Sequence, residues 1–204
     1  MSAGAARLFA WLQDAAFYRE MHLTAAELLP GGDRRAWLDV GCGPGVLTRI
    51  AAERGYAARG VDHDSDMIEA AVRLAAERRN PAKFAVSNIE AERADEARYD
   101  VVSASSLLVV VADPATTLRQ LVSLAKPNGQ ALIIEASREL TRERAFAEVL
   151  ARGVADRAYM LQVWALFRSG RTLAHSTFDQ PGLTARRHSI LNGLVDARIV
   201  GSAP

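Results

Sequence analysis

Trp37-Leu38-Asp39-Val40-Gly41-Cys42-Gly43-Pro44-Gly45 decides the fold of this chain. An apolar run ends in an acid and three closely spaced glycines, and a helical pattern follows at about Gly45–Arg54. That order predicts a strand, a tight turn and a helix N-terminus, the layout that brings a nucleotide-like cofactor against backbone. A second apolar stretch, about Ala57–Val61, ends at Asp62. The acid inside the glycine loop bears on the ligand. A carboxylate at Asp39 opposes the doubly negative pyrophosphate of a dinucleotide and favours a cofactor carrying an ammonium group.

S-adenosylmethionine is such a cofactor, with an amine, a sulfonium and a ribose. The stretch Leu38–Gly45 resembles motif I of the class I S-adenosylmethionine-dependent methyltransferases. The resemblance continues through Gly60-Val61-Asp62 and Tyr99-Asp100-Val101-Val102. It reaches Leu124-Ala125-Lys126-Pro127-Asn128-Gly129 ahead of Gln130-Ala131-Leu132-Ile133-Ile134-Glu135. It covers residues 35–136 well and the C-terminus more loosely. Around Asn192-Gly193-Leu194-Val195 the chain loosely resembles quinone-precursor carbon methyltransferases. The resemblance implies an α/β fold: a Rossmann-like, doubly wound, seven-stranded and mostly parallel sheet, with a C-terminal antiparallel hairpin and a helical cover.

The rest of the chain agrees with that alternation. Residues 4–29 read as one or two helices, with Leu8, Trp11, Leu12, Ala15 and Ala16 on one face and Leu23, Ala26 and Leu29 on a second. Pro30-Gly31-Gly32 stops them. Asp64 or Ser65 caps a helix reaching about Arg79. Strands follow at about Lys83–Ser87 and Tyr99–Ala104, linked by polar residues 90–98. Asp113-Pro114 starts a helix to about Ala125, since a cap residue precedes proline at the first helical position. Pro127-Asn128-Gly129 reads as a turn into a strand at Ala131–Glu135. Residues 139–169 are helical in pattern with a break at Gly153, and Thr184–Gly201 reads as a hairpin with a tight Asn192-Gly193 turn. One domain is expected over 1–204: N-terminal helices (1–32), a cofactor-binding core (33–136), a helical insert covering the acceptor (137–183) and the hairpin (184–204).

Composition narrows the function. Net charge is +1, so no strong field favours nucleic acid or an anionic membrane. Nearly all the positive charge is arginine; Lys83 and Lys126 are the only lysines. No apolar stretch is long enough to span a bilayer and the first twenty residues do not read as a secretory signal, so a cytoplasmic location is expected. The lone cysteine, Cys42, permits no intrachain disulfide and disfavours multi-thiol chemistry. No His/Cys cluster has metal-ligand spacing, and no metal is expected.

The resemblance implies a role for each site residue. Asp39 attracts the methionyl amine, directly or through water. Gly41, Gly43 and Gly45, with Cys42 between them, let backbone approach the cofactor. Asp62 accepts from both ribose hydroxyls, and Asp62→Ala is expected to weaken binding with little loss of fold. His63 lines the adenine side, and Met67 packs on adenine. Asn88, where many members have Asp, recognises the adenine edge with the backbone of Ile89, its carbonyl oxygen accepting from the exocyclic amine. Ser105 lies in the segment after the fourth strand, between cofactor and acceptor. Similar enzymes often show a histidine just before the Asp-Pro. Here that stretch is Leu107-Leu108-Val109-Val110-Val111-Ala112, so no general base is evident. His22, His175 and His188, and the aromatics Tyr18, Tyr159, Trp164 and Phe167, are further candidates for the acceptor side. The Pro-Pro motif of amino methylation after the fourth strand is absent, with Ser103-Ala104-Ser105-Ser106 in its place.

The expectation is methyl transfer from S-adenosylmethionine to a small hydrophobic or aromatic acceptor, leaving S-adenosylhomocysteine. Two other readings stay open. An S-adenosylmethionine-binding regulatory or scaffold protein would fit the missing histidine and Asn128 in place of glycine. An NAD-dependent oxidoreductase would need a different glycine spacing.

Overall fold

The computed structural model describes residues 13, 15–92, 98–152, 158–168 and 170–203. Seven strands form one sheet: β1 (Ala36–Val40), β2 (Ala57–Asp62), β3 (Lys83–Val86), β4 (Tyr99–Ser105), β5 (Ala125–Ala136), β6 (Leu183–Ile190) and β7 (Val195–Ser202). The helices are α1 (Ala16–Glu27), α2 (Val46–Glu53), α3 (Ser65–Glu77), α4 (Pro114–Ser123), α5 (Arg142–Arg152) and α6 (Met160–Arg168). Strand order is β3-β2-β1-β4-β5-β7-β6. Only β7 runs against its neighbours, pairing antiparallel with both β5 and β6. The order reverses between β1 and β4, which places a ligand crevice beyond their carboxyl ends.

Both faces of the sheet are covered, so its central strands are apolar on both sides. Trp37, Leu132, Ile134 and Ile199 meet α1, α2, α5 and α6 on one face. Leu38, Val102, Ala131 and Ile133 meet Leu118 and Leu121 of α4 and Phe178 on the other. The buried stripe of α1 is Phe17, Tyr18, Met21, His22, Ala25 and Ala26. That spacing follows the helical period, and it differs from the expected face: Ala16 is exposed and Leu23 only half-buried. The reason is tertiary. Phe17 and Tyr18 pack on Trp164 of α6, with ring centroids 6.2 and 6.4 Å away. Leu8, Trp11, Leu12 and Gly153 lie outside the described residues.

Local signals set the element ends. Asp64 caps α3 by accepting from the Asp66 and Met67 amides. Asp113 caps α4 by accepting from Thr116 N, with Pro114 in the first turn. Two turns depart from expectation. Residues 126–129 are a bulge within β5 rather than a separate turn: Tyr99 pairs with Ala125, and Val101 next pairs with Gln130. The hairpin connection is four residues long, not two. Ile190 pairs with Val195, and Leu191, Asn192 and Gly193 all have positive φ (50°, 52° and 90°). Leu191 and Leu194 are buried, so core packing lengthens the turn. The Asn192 amide donates to Glu148 of α5. Among the described residues, no helix is long and apolar enough to cross a membrane.

Candidate functional site

The crevice beyond β1 and β4 holds two adjoining chambers that share Gly41, Asp62, His63 and Leu107. One, of about 350 Å³, is walled by Ser87, Asn88, Ile89 and Glu90. The other, of about 320 Å³, is walled by Tyr18, Gly43, Met67, Ser105, Val110 and Arg168 among others. Thus Gly41, Gly43, Asp62, His63, Met67, Asn88, Ile89 and Ser105 line the cleft. Asp39, Cys42 and Gly45 do not.

The glycine loop is built by its own hydrogen bonds. Gly41 and Gly43 sit at φ 67° and 51°, conformations that a side chain strains. A Cβ on Gly41 would stand 3.1 Å from Leu107 Cδ1, across the cleft. Gly45 is a glycine for another reason. It is the left-handed N-cap of α2, and its Cβ would lie 2.4 Å from the Phe84 ring. The missing side chain there admits Phe84, not the cofactor. Cys42 points inward; its Sγ would lie 2.9 Å from a Cβ on Gly60, and burial raises its thiol pKa well above the usual range.

Asp39 is also turned inward and only 2% exposed. Its Oδ2 accepts from Thr48 Oγ1 and its Oδ1 from Ser103 Oγ, both at 2.7 Å. Ser103 Oγ accepts in turn from Trp37 Nε1 at 2.8 Å. Burial pushes the Asp39 carboxyl up to about 6, against the pull of the two hydroxyl donors. Direct contact between Asp39 and a ligand amine is therefore not available in this geometry. Sequence spacing does not show that two hydroxyls, nine and sixty-four residues away, claim both oxygens.

Asp62 stands at the end of β2, its Oδ2 accepting from Gly43 N at 2.9 Å and its Oδ1 from Asp64 N at 3.0 Å. His63 extends over it, 85% exposed at its side chain, with Nδ1 3.3 Å from Asp62 Oδ1. Asn88 Oδ1 accepts from Ala91 N at 2.8 Å, which leaves that oxygen's second lone pair and the NH₂ for a ligand. Met67 lines the Tyr18–Arg168 chamber and not the one walled by Asn88 and Ile89.

Three contributors come from the cover. Tyr18 of α1 lines the cleft with its hydroxyl pKa pushed up to about 12 by burial, so it stays protonated. Arg168, at the end of α6, brings a guanidinium into the same chamber, where its charge also acts on Tyr18 and the buried Glu135 carboxyl. No motif marks it. His22 reaches Ser105 through Nε2 at 2.9 Å. Trp164 is buried core, whereas Tyr159 and Phe167 are exposed. His175 lines a separate cavity with Glu135, Arg187, Asp196 and Arg198, and His188 lies on β6, so neither reaches the cleft.

A nucleoside carrying an amino acid fits these residues. The cleft presents the Asp62 carboxylate, the Asn88 amide and the Arg168 guanidinium. A pyrophosphate does not fit the loop. Cys42 N donates to Val61 O, Gly43 N to Asp62 and Gly45 N to Cys42 O, while Pro44 has no N–H. The loop has no spare amides at these positions to cradle phosphate.

Fold and cleft together define a class I methyltransferase. Residues 10–186 match the methyltransferase domain family, and the chain belongs to that family. It is 38% identical over 93 residues to the ubiquinone biosynthesis O-methyltransferase of Nitrosospira multiformis, covering 45% of this chain and 39% of that one. It is 34% identical over 104 residues to the same enzyme of Vibrio vulnificus, covering 50% and 44%. The matches span less than half the length of these curated relatives. A structure of an S-adenosyl-L-methionine-dependent methyltransferase from Methanococcus maripaludis superposes with TM-score 0.66 at 16% identity, covering 100% of this chain and 94% of that one. The plantazolicin methyltransferase BpumL, solved with a triazolic desmethylPZN analog and SAH, superposes with TM-score 0.64 at 12% identity, covering 98% of this chain and 90% of that one. These two likenesses show the shared fold.

Proposed function

We propose that this protein transfers a methyl group from S-adenosylmethionine to a small hydrophobic or aromatic acceptor in the cytoplasm. The observation that carries the reading is the two-chambered cleft at the β1/β4 switch point, with Gly41 and Asp62 at its waist. When bound, the cofactor supplies an activated methyl group on a sulfonium. The chain's part is to hold and to exclude water. Asp62 would take the ribose hydroxyls, Asn88 and Ile89 the adenine edge, and Arg168 the carboxylate. Fixing two reactants in line is worth roughly 7–11 kcal/mol of barrier.

Leu107 and Val110 give the Ser105 chamber an apolar wall, which favours a greasy acceptor. The relatives are named for oxygen methylation, which favours a hydroxyl as the accepting group. The N-terminal helices and residues 137–183 act as the acceptor cover in this reading, since Tyr18 and Arg168 already reach the cleft from them. The test is transfer of tritium from methyl-labelled S-adenosylmethionine to a panel of phenols and catechols. Labelled ether product supports the reading. Tight cofactor binding with no transfer to any acceptor class would favour the regulatory alternative.

A further inference from the structure

His22 and Ser105 are eighty-three residues apart in the chain and form a hydrogen bond at the mouth of the cleft. The direction of that bond is fixed by a second one. His22 Nδ1 lies 2.7 Å from the carbonyl oxygen of Tyr18, one turn earlier on α1. A carbonyl only accepts, so Nδ1 carries the proton and donates. The ring is 1% exposed, and burial pulls its pKa down to about 4, so it is neutral at physiological pH. Its Nε2 is therefore bare and can only accept. Ser105 must donate its hydroxyl hydrogen to His22.

The consequence lies on the other side of Ser105. With its one hydrogen turned to the interior, Oγ shows lone pairs alone to the chamber that holds Gly41, Gly43 and Arg168. A free serine takes either polarity; this one is held as an acceptor. It stands on the methionyl side of the waist, opposite the adenine chamber. The nearby acid expected to serve an amine, Asp39, is sealed by Thr48 and Ser103.

We infer that Ser105 Oγ, polarised by His22, receives the ammonium group of the bound cofactor and takes the place that Asp39 holds in the sequence reading. This rests on the cofactor being S-adenosylmethionine. Ser105 is the contact and His22 the positioning residue, which ties an N-terminal helix to recognition of the cofactor's amino-acid end.

Calorimetric titration with three probes separates the possibilities: S-adenosylhomocysteine, its deaminated analogue with hydrogen in place of the amine, and 5′-methylthioadenosine, which lacks the whole amino-acid tail. A hydrogen bond to a charged group corresponds to a preference of about ten- to hundredfold for the amine-bearing probe over the deaminated one. Ser105→Ala should shrink that preference to a few-fold, and His22→Phe should shrink it part-way. Methylthioadenosine should bind wild type and variants alike, which also shows that each variant is folded. Should His22→Phe fail to bind it, Ser105→Ala alone decides. An undiminished amine preference in Ser105→Ala overturns the inference while leaving the cofactor assignment intact. Failure of the wild type to bind S-adenosylhomocysteine overturns both.

Discussion

Asp62 has two duties, and they are separable by measurement. Its oxygens hold Gly43 N and Asp64 N, which shape the loop on either side of the cleft. In the proposed function its remaining lone pairs take the ribose hydroxyls, since Asp62 lines both chambers. Asp62→Ala should weaken binding of S-adenosylhomocysteine by about 2–4 kcal/mol, roughly 30- to 1,000-fold. It should also lower unfolding stability by about 1–3 kcal/mol, because two amides lose their partner. Titration and urea denaturation read the two effects. Intact stability would show that loop and carboxylate are independent, as the sequence alone implied. Residues whose place is set by the backbone were legible from sequence: Gly41, Gly43 and Asp62 line the cleft because they end or follow a strand, and strand ends are readable. The burial of Asp39 was not legible, because it depends on two hydroxyls brought from α2 and β4. His22 and Arg168 were not assigned their roles for the same reason, since only the packing of α1 and α6 over the sheet carries them to the cleft.

The elements themselves were largely readable, because each carries its own stop or start: Asp64 for α3, Asp113-Pro114 for α4, and Gly45 ahead of α2. What failed were turns set by long-range packing. Buried Leu191 and Leu194 stretch the hairpin turn, and the register jump along β4 turns residues 126–129 into a bulge. Gly45 is the tightest joint between elements. Its φ of 78° and the Phe84 ring 2.4 Å from a Cβ both exclude a side chain. Gly45→Ala should cost about 2–4 kcal/mol, from left-handed strain and overpacking against β3. Guanidinium denaturation measures it. Unchanged stability would mean that Phe84 swings aside freely and that the α2–β3 contact is loose.

Across the whole molecule, two buried carboxyls make stability depend on pH in an uncommon direction. Asp39 is raised to about 6 and Glu135 to about 7, burial being the main cause of each. Glu135 Oε1 accepts from Leu108 N at 2.8 Å, while Oε2 has no hydrogen-bond partner among the described residues. Both groups bind protons more tightly folded than unfolded. Their stabilising contribution is complete below about pH 4 and is lost as pH rises through 6 and 7. Glu135→Gln keeps the acceptor for Leu108 and removes the titration. It should flatten the fall in stability between pH 5 and 8 by about 1–3 kcal/mol. A variant whose stability falls as steeply as the wild type would show that Glu135 stays ionised in the fold. At the same scale, the cleft joins parts that sequence keeps apart: the glycine loop, the end of β4, and the cover helices α1 and α6.

The central claim is that this cleft takes an amino-acid-bearing nucleoside and not a dinucleotide. Calorimetric titration of the purified protein with S-adenosylhomocysteine and with NAD tests it most directly. Micromolar binding of S-adenosylhomocysteine, with no heat from NAD, is the predicted result. Binding of NAD in its place would contradict the account, because the loop amides that must cradle its pyrophosphate are already engaged by Asp62, Val61 and Cys42.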